Sequence, residues 1–357
     1  MFNGSTWLHA PTPFCVISGP TPSKLTGGHF PMASSVRIAV VGDVHDDWNL
    51  EEDRKALQLL KPDLVLFTGD FGNENVDLVR SIADLEITKA AILGNHDAWN
   101  TQKFSGNVCC SICREKDAVQ LQMDCLGDEH VGYRRMDLSM LKLGIVGGRP
   151  FSCGGRALFR RQLLKARYGV RDMDGSAERI LQAAMGAPED HSIIFLAHNG
   201  PTGLGANVDD ICGRDWFIDG GDHGDPDLAH ALAQLKDSAQ YSVPLVIFGH
   251  MHKQLASGNG FRKMIVVGND NTIYLNGAIV PRIRPPSLTA ESEGTSRAFT
   301  IAEISNGRVE KIAETWISVI GDKTRLEEER ILFSRPNRGS VHASVIDALC
   351  IQMDNTM

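Results

Sequence analysis

The sequence predicts an α/β fold built around parallel sheet, and three observations predict it. Runs such as VRIAVV at Val36–Val41 and SIIFLA at 192–197 are continuously apolar, as strands covered on both faces are. Segments with helical spacing alternate with these runs, the rhythm of βαβ units. Several of the apolar runs also end abruptly in glycine followed by polar residues, the expected signature of strands leaving a sheet at its carboxyl edge.

Taken in order, Val36–Val41 reads as a buried strand. Residues 51–60 read as a helix, with Leu57 and Leu60 on one face and Pro62 marking its end. A strand at 63–68, a helix at 75–83 and a strand at 87–93 complete a βαβαβ unit. From 98 to about 131 the rhythm lapses into an insertion. Strands return at 133–138 and 141–146, followed by helices at 158–168 and 177–185. A strand at 192–197, a helix at 225–235 and a strand at 243–248 follow. Runs at 263–267, 272–275, 298–304 and 308–317 give a β-rich end. The boundaries expected are a tail at 1–34, a domain at 35–320 and a peripheral C-terminal tail at 321–357.

Bulk properties bound the functions open to the chain. Its 357 residues, 42% hydrophobic and 22% charged, suit a globular protein. A net charge of −8 argues against nucleic-acid binding through a broad basic face. No apolar run is long enough to span a bilayer. Among eight cysteines, Cys109, Cys110 and Cys113 cluster, but no second CxxC supplies the other half of a zinc site, so reduced thiols are expected. Residues 1–42 contain no acidic side chain and many hydroxyls. That composition fits a transit peptide, with chloroplast the preferred destination. A disordered tail, or a start at Met32, fits as well.

The chemistry gathers at the strand ends. The first strand runs into Gly42-Asp43-Val44-His45 and the second into Gly69-Asp70. The third ends in Gly94-Asn95-His96-Asp97, a later one in His198-Asn199-Gly200, and another in Gly249-His250-Met251-His252. Any one of these alone is ordinary turn chemistry. Together they draw five of the chain's 12 histidines to what should be one crevice. So many carboxylates and imidazoles are costly to crowd together unless a cation lies among them. Asp43 and His45, and likewise His250 and His252, are two residues apart and would point the same way on extended backbone. Mixed carboxylate, imidazole and amide donors suit Mn, Fe or Zn. The number of donors suffices for two such ions, divalent or trivalent, with Asp70 able to bridge.

In this order, Asp43-x-His45, Gly69-Asp70, Gly94-Asn95-His96-Asp97, His198 and Gly249-His250-x-His252 resemble the motifs of calcineurin-like metallophosphoesterases. The resemblance covers roughly residues 36–274. It implies a four-layer α/β/β/α sandwich with a dinuclear centre at the sheet ends. It further implies that Asp43, His45, Asp70 and His252 hold one ion, and Asp70, Asn95, His198 and His250 the other. The Gly-Asn-His histidine of that family is not a ligand, which makes His96 the general acid and Asp97 the group that orients it. A metal-bridging hydroxide would attack phosphorus in line. Departures at Asp46, at GDFGNEN and at Asp97 set the chain apart from the protein Ser/Thr phosphatases, and Asn73 stands where purple acid phosphatases place a tyrosine. The run VGYRRMDLSMLKLGIVGGRPFS is similar to a plant and cyanobacterial branch.

A phosphorylated small molecule is the expected substrate, as monoester or diester. The alternatives are a metallonuclease of the same superfamily and a metal-binding scaffold without catalysis. Residues 200–227, Gly-rich and attached beside His198, are expected to rim the substrate through Arg214 and Trp216, with His223 in the same stretch. Arg149 is a candidate phosphate contact. Asp46, Asp47 and Trp48 adjoin the first motif, as support for the site or as a helix cap. Oligomeric state is not legible in the sequence.

Overall fold

The computed structural model describes residues 35–102, 116–238, 241–287 and 294–336. The expected transit segment and the Cys109/Cys110/Cys113 cluster lie outside those residues.

The parallel unit opens with β1 (Val36–Val41), α1 (Leu50–Leu60), β2 (Leu64–Phe67), α2 (Val76–Ala83) and β3 (Lys89–Ala91). Then come α3 (Ala118–Leu126), β4 (Arg135–Leu138), β5 (Leu143–Gly147), α4 (Arg161–Tyr168), α5 (Met173–Ala184), β6 (Ser192–Leu196), α6 (Pro226–Asp237) and β7 (Leu245–Phe248). The chain ends in β8 (Ile265–Val267), β9 (Ile273–Asn276), β10 (Ile283–Arg284), β11 (Thr295–Ser305), β12 (Arg308–Ile320) and β13 (Lys323–Ser334).

These strands form two sheets. The first has seven strands in the order β13-β12-β11-β1-β2-β3, with β10 also on β11, and the second runs β4-β5-β6-β7-β9-β8. Strand periodicity sorts their side chains into two apolar layers. Ile38, Val40, Leu64 and Leu66 meet Ile145, Ile194, Leu196, Leu245 and Ile247 between the sheets. The alternate residues Ala39, Val41, Val65 and Phe67, and Ile193, Phe195, Val246 and Phe248, turn outward to pack with helix residues such as Leu57, Val79, Ile180 and Leu232. The result is the helix-sheet-sheet-helix architecture, with central strands buried on both faces.

Three features depart from the sequence reading. The insertion after β3 contains α3, begun by Asp117, whose Oδ1 accepts from Gln120 N at 2.9 Å. Residues beyond 320 are not all tail: β13 pairs along β12 from Lys323 to Ser334 and carries the first sheet past the expected boundary. The cap of α1 is Asn49, whose Oδ1 accepts from Glu52 N at 3.1 Å. Asp46 instead accepts from Asn75 Nδ2 at 2.7 Å, so it joins the two loops that leave β1 and β2.

Buried charge ties α1 to the first sheet. Asp53 receives Arg282 Nη2 at 2.7 Å and Arg297 Nη1 at 2.5 Å, and all three side chains are nearly inaccessible. A buried carboxylate between two guanidiniums fixes where α1 sits, and with it the loop that leads out of β1.

Candidate active site

The parallel strands β1, β2 and β3 end beside those of β6 and β7, and the loops from both sheets meet. His198, just beyond β6, sets its Nδ1 2.7 Å from the carbonyl of Thr68, just beyond β2. This fixes the other ring nitrogen, Nε2, toward Asn95 Oδ1 at 2.9 Å and Asp70 Oδ1 at 3.4 Å. On the other side, His45 Nε2 lies 3.0 Å from His252 Nε2. His252 Nε2 in turn is 3.5 Å from Asp43 Oδ2, and His45 Nε2 is 3.9 Å from Asp70 Oδ2.

All seven residues expected as metal ligands are therefore neighbours. Six of them fall into two clusters of converging donors, Asp43 with His45 and His252, and Asp70 with His198 and His250, and the seventh, Asn95, has its Oδ1 beside His198. Asp70 also groups with His45 and His96, so it stands between the two. The backbone differs from expectation here. Asp43, His45, Asp70 and His250 have φ of 42°, 44°, 51° and 66°. None of them is in an extended segment, so the donors converge through left-handed turns rather than by strand alternation. Each such turn at a residue bearing a side chain costs of order 1–3 kcal/mol, and strain of this kind collects at functional sites. Two glycines make room for the carboxylates. A β-carbon on Gly94 would collide with the Asp70 carboxylate, and one on Gly249 with that of Asp43.

This donor set fits metal ions. Asp43 and Asp70 are 1% and 2% exposed, yet among the described residues only histidines approach them as cationic partners. Two buried carboxylates without an arginine or lysine need another source of positive charge. Burial, reinforced by neighbouring His198, pushes the His250 ring down to about 3, which leaves it neutral with a lone pair to give.

His96 stands apart in its contacts. Its backbone N–H donates to Asp70 Oδ1 at 2.8 Å, while its Nδ1 meets Asn73 Oδ1 at 2.7 Å. Trp99 stacks on the imidazole, with ring centroids 4.8 Å apart and planes 9° from parallel. Asp97 does not touch that ring, which corrects the role expected for it. Its Oδ2 accepts the N–H of Asp70 at 2.9 Å and of Gly94 at 2.7 Å, and its Oδ1 accepts the N–H of Phe71 at 2.9 Å. Both oxygens are spent on backbone, where they lock the β2 and β3 loops together. Burial and the nearby Asp70 charge push Asp97 upward against those amides.

A cleft of about 410 Å³ opens over the centre, lined by Asp70, His96, His250 and His252 together with Cys153, Trp216 and His223 among others. Trp216 lines this cleft. Arg214 is not among the lining residues and lies over the Phe217 ring at 5.0 Å. Arg149 is displaced further from its expected role. It is 1% exposed, does not line the cleft, and its guanidinium is paired with Asp225 at 2.7 Å and Asp227 at 2.9 Å.

The sequence reading gave no role to Asn73, Trp99 or Arg262. Asn73 follows Asp70 by three residues, and Trp99 follows His96 by three, so each had a positional signal. His223 lies between Trp216, at a ring distance of 4.9 Å, and His250, at 6.0 Å. Its only sequence signal is a sixth histidine in a glycine-rich loop. Arg262, 4% exposed, donates to the carbonyls of His252, Asp210 and Gly213 and pairs with Asp215, so it holds the His252 loop against the 208–215 loop.

The family model of calcineurin-like phosphoesterases matches residues 36–254 of the chain. The chain belongs to this family. Within this phosphoesterase, the match begins at β1 and ends just past His252, so it contains every residue of the two donor clusters. Among solved structures, it is similar to a dimetal phosphatase from Danio rerio at 11% identity, covering 82% of this chain and 98% of that one, with a TM-score of 0.44. It is also similar to a hypothetical protein from Thermus thermophilus at 13% identity, covering 82% and 100%, with a TM-score of 0.40. No curated protein sequence matches it. No helix among the described residues is long and apolar enough to cross a membrane.

Proposed function

We propose that this phosphoesterase hydrolyses small phosphomonoesters or phosphodiesters with two transition-metal ions. One ion is assigned to Asp43, His45, Asp70 and His252, and the other to Asp70, Asn95, His198 and His250. The observation that carries this reading is the pair of buried carboxylates, Asp43 and Asp70, ringed by imidazoles with no arginine or lysine among the described residues to neutralise them. Bound in such a site, two ions activate water as a nucleophile and neutralise charge on the phosphoryl group. Mn, Fe and Zn all accept this donor chemistry.

The protein's own contribution is positioning and a proton. His96 lines the cleft without belonging to the two main clusters, and its ring is held from one edge by Asn73 and across one face by Trp99. With Nδ1 engaged by Asn73, Nε2 is the nitrogen that can give a proton to the departing oxygen. His198, oriented by the Thr68 carbonyl, and Asp70, fixed by the His96 amide, are held in place before any substrate arrives.

The test is metal analysis combined with turnover. Purified protein should contain close to two equivalents of transition metal, and EDTA should abolish hydrolysis of nitrophenyl phosphate, with recovery on adding Mn, Fe or Zn. Comparing mono- and bis-nitrophenyl phosphates, with single-stranded DNA alongside, defines the ester class. Full turnover after complete metal removal would end this reading.

A further inference from the structure

A second cavity, of about 240 Å³, shares no lining residue with the cleft. Arg134, Arg167 and Arg179 surround it, and His130, Tyr133 and Tyr168 form part of its wall. In a chain of net charge −8, three guanidiniums around one hollow are a local reversal of sign. Arg134 pairs with Asp128 at 2.8 Å, both of them solvent-facing. Neither Arg167 nor Arg179 makes a hydrogen bond or ion pair with any described residue. The nearby Asp124 is engaged by Lys116 at 2.5 Å.

Solvated surface arginines need no ligand, and Arg167 also sits in the last turn of α4, where a cation is favoured in any case. The aromatic wall adds what those facts do not cover. The Tyr133 hydroxyl meets Ser176 Oγ at 2.6 Å and is satisfied. The Tyr168 hydroxyl, beside it in a ring pair 5.1 Å apart, is buried and has no hydrogen-bond partner among the described residues. Buried hydroxyls are rarely left without a partner, and one in the wall of an arginine-lined cavity marks a missing acceptor. Guanidinium forks and a phenolic O–H are all donors, and the group that accepts from all of them is an oxyanion. The volume is below that of pockets for drug-sized ligands, which restricts the occupant to a small molecule.

We propose that this cavity binds a small oxyanion, a phosphate or carboxylate group, through Arg134, Arg167, Arg179 and the hydroxyl of Tyr168. The site is separate from the metal centre and does not depend on the reaction proposed there. The test is calorimetric titration of the metal-loaded protein with inorganic phosphate and, in a second arm, with succinate. At least one of the two anions should fill a site that survives EDTA, since binding at the metal centre does not. The double variant Arg167→Gln/Arg179→Gln should lose that site while hydrolysing nitrophenyl phosphate as the wild type does. Tyr168→Phe should weaken it about fivefold, the loss of one hydrogen bond. Phosphate alone filling the site assigns it to phosphate, and succinate alone to carboxylates. If EDTA removes all binding of both anions, or the double variant binds both unchanged, the proposal is overturned.

Discussion

His96 Nδ1 lies 2.7 Å from Asn73 Oδ1, and this contact ties the imidazole to the loop that leaves β2. An amide oxygen can only accept, so Asn73 fixes which ring nitrogen bears a proton and how the ring is turned. Asn73→Ala is expected to lower kcat by about 10- to 100-fold, the usual cost of losing a group that orients a functional side chain. Metal content should be unchanged. Asn73→Asp, which keeps an acceptor oxygen in the same place, should recover most of the lost kcat. A variant Asn73→Ala with wild-type kcat would show that His96 needs no such support.

Asp97 does a different job, and its variants should fail differently. Its carboxylate takes three backbone N–H groups, from Asp70 itself, from Phe71 and from Gly94 beside Asn95. Removing it in Asp97→Ala leaves three buried donors without an acceptor, each worth about 1–3 kcal/mol. The expected result is a stability loss of several kcal/mol, read as a lower urea midpoint, with loss of bound metal alongside. Asp97→Asn, which keeps one good acceptor oxygen, should lie between. Should Asp97→Ala lose turnover while its metal content and urea midpoint stay as in the wild type, Asp97 acts on the reaction itself.

Arg149 separates burial from function. It sits at 1% exposure between Asp225 and Asp227, and Ser152 Oγ also donates to Asp225 Oδ1 at 2.7 Å. Arg149→Gln strands two buried carboxylates, and breaking a buried pair costs about 3–5 kcal/mol. The thermal midpoint should fall sharply while KM for nitrophenyl phosphate, measured below that midpoint, stays within twofold. A large rise in KM without destabilisation would restore the phosphate contact that its place in VGGRPFS suggests.

How far the sequence was legible follows the physics of each feature. The alternation of apolar strands and helices depends on local pattern, and β1, β6 and β7 fall where their runs place them. The glycine-flanked Asp, Asn and His residues were visible because each follows a strand, and parallel topology sends such ends to one rim. What Asp97, Arg149 and Asn73 do was not visible. Each depends on a partner 23 to 76 residues away, backbone amides for Asp97, a carboxylate for Arg149 and an imidazole for Asn73. The left-handed turns at Asp43 and His250 were hidden for another reason. Aspartate and histidine tolerate such turns better than most residues, but nothing in their identity demands one. The strand β13 was missed because its charged, exposed sequence is that of a sheet edge, which resembles a tail.

His130 offers a pH-dependent test away from the metal centre. Burial, helped by Arg134 and Arg167, pushes its ring down to about 3, against an ordinary value of 6.5. The native ring is therefore neutral, with Nε2 facing the Leu93 N–H at 3.4 Å. The unfolded chain takes up a proton below about pH 6.5 and the folded chain does not, so the stability present above 6.5 is lost as pH falls toward 3. The slope is at most about 1.4 kcal/mol per pH unit. His130→Gln keeps an acceptor for Leu93 and removes the titration. The stability difference between wild type and His130→Gln, from urea unfolding, should be greatest above pH 6.5 and shrink steadily from there to about pH 4. Parallel curves over that range would mean that the folded protein protonates His130 as readily as the unfolded chain does.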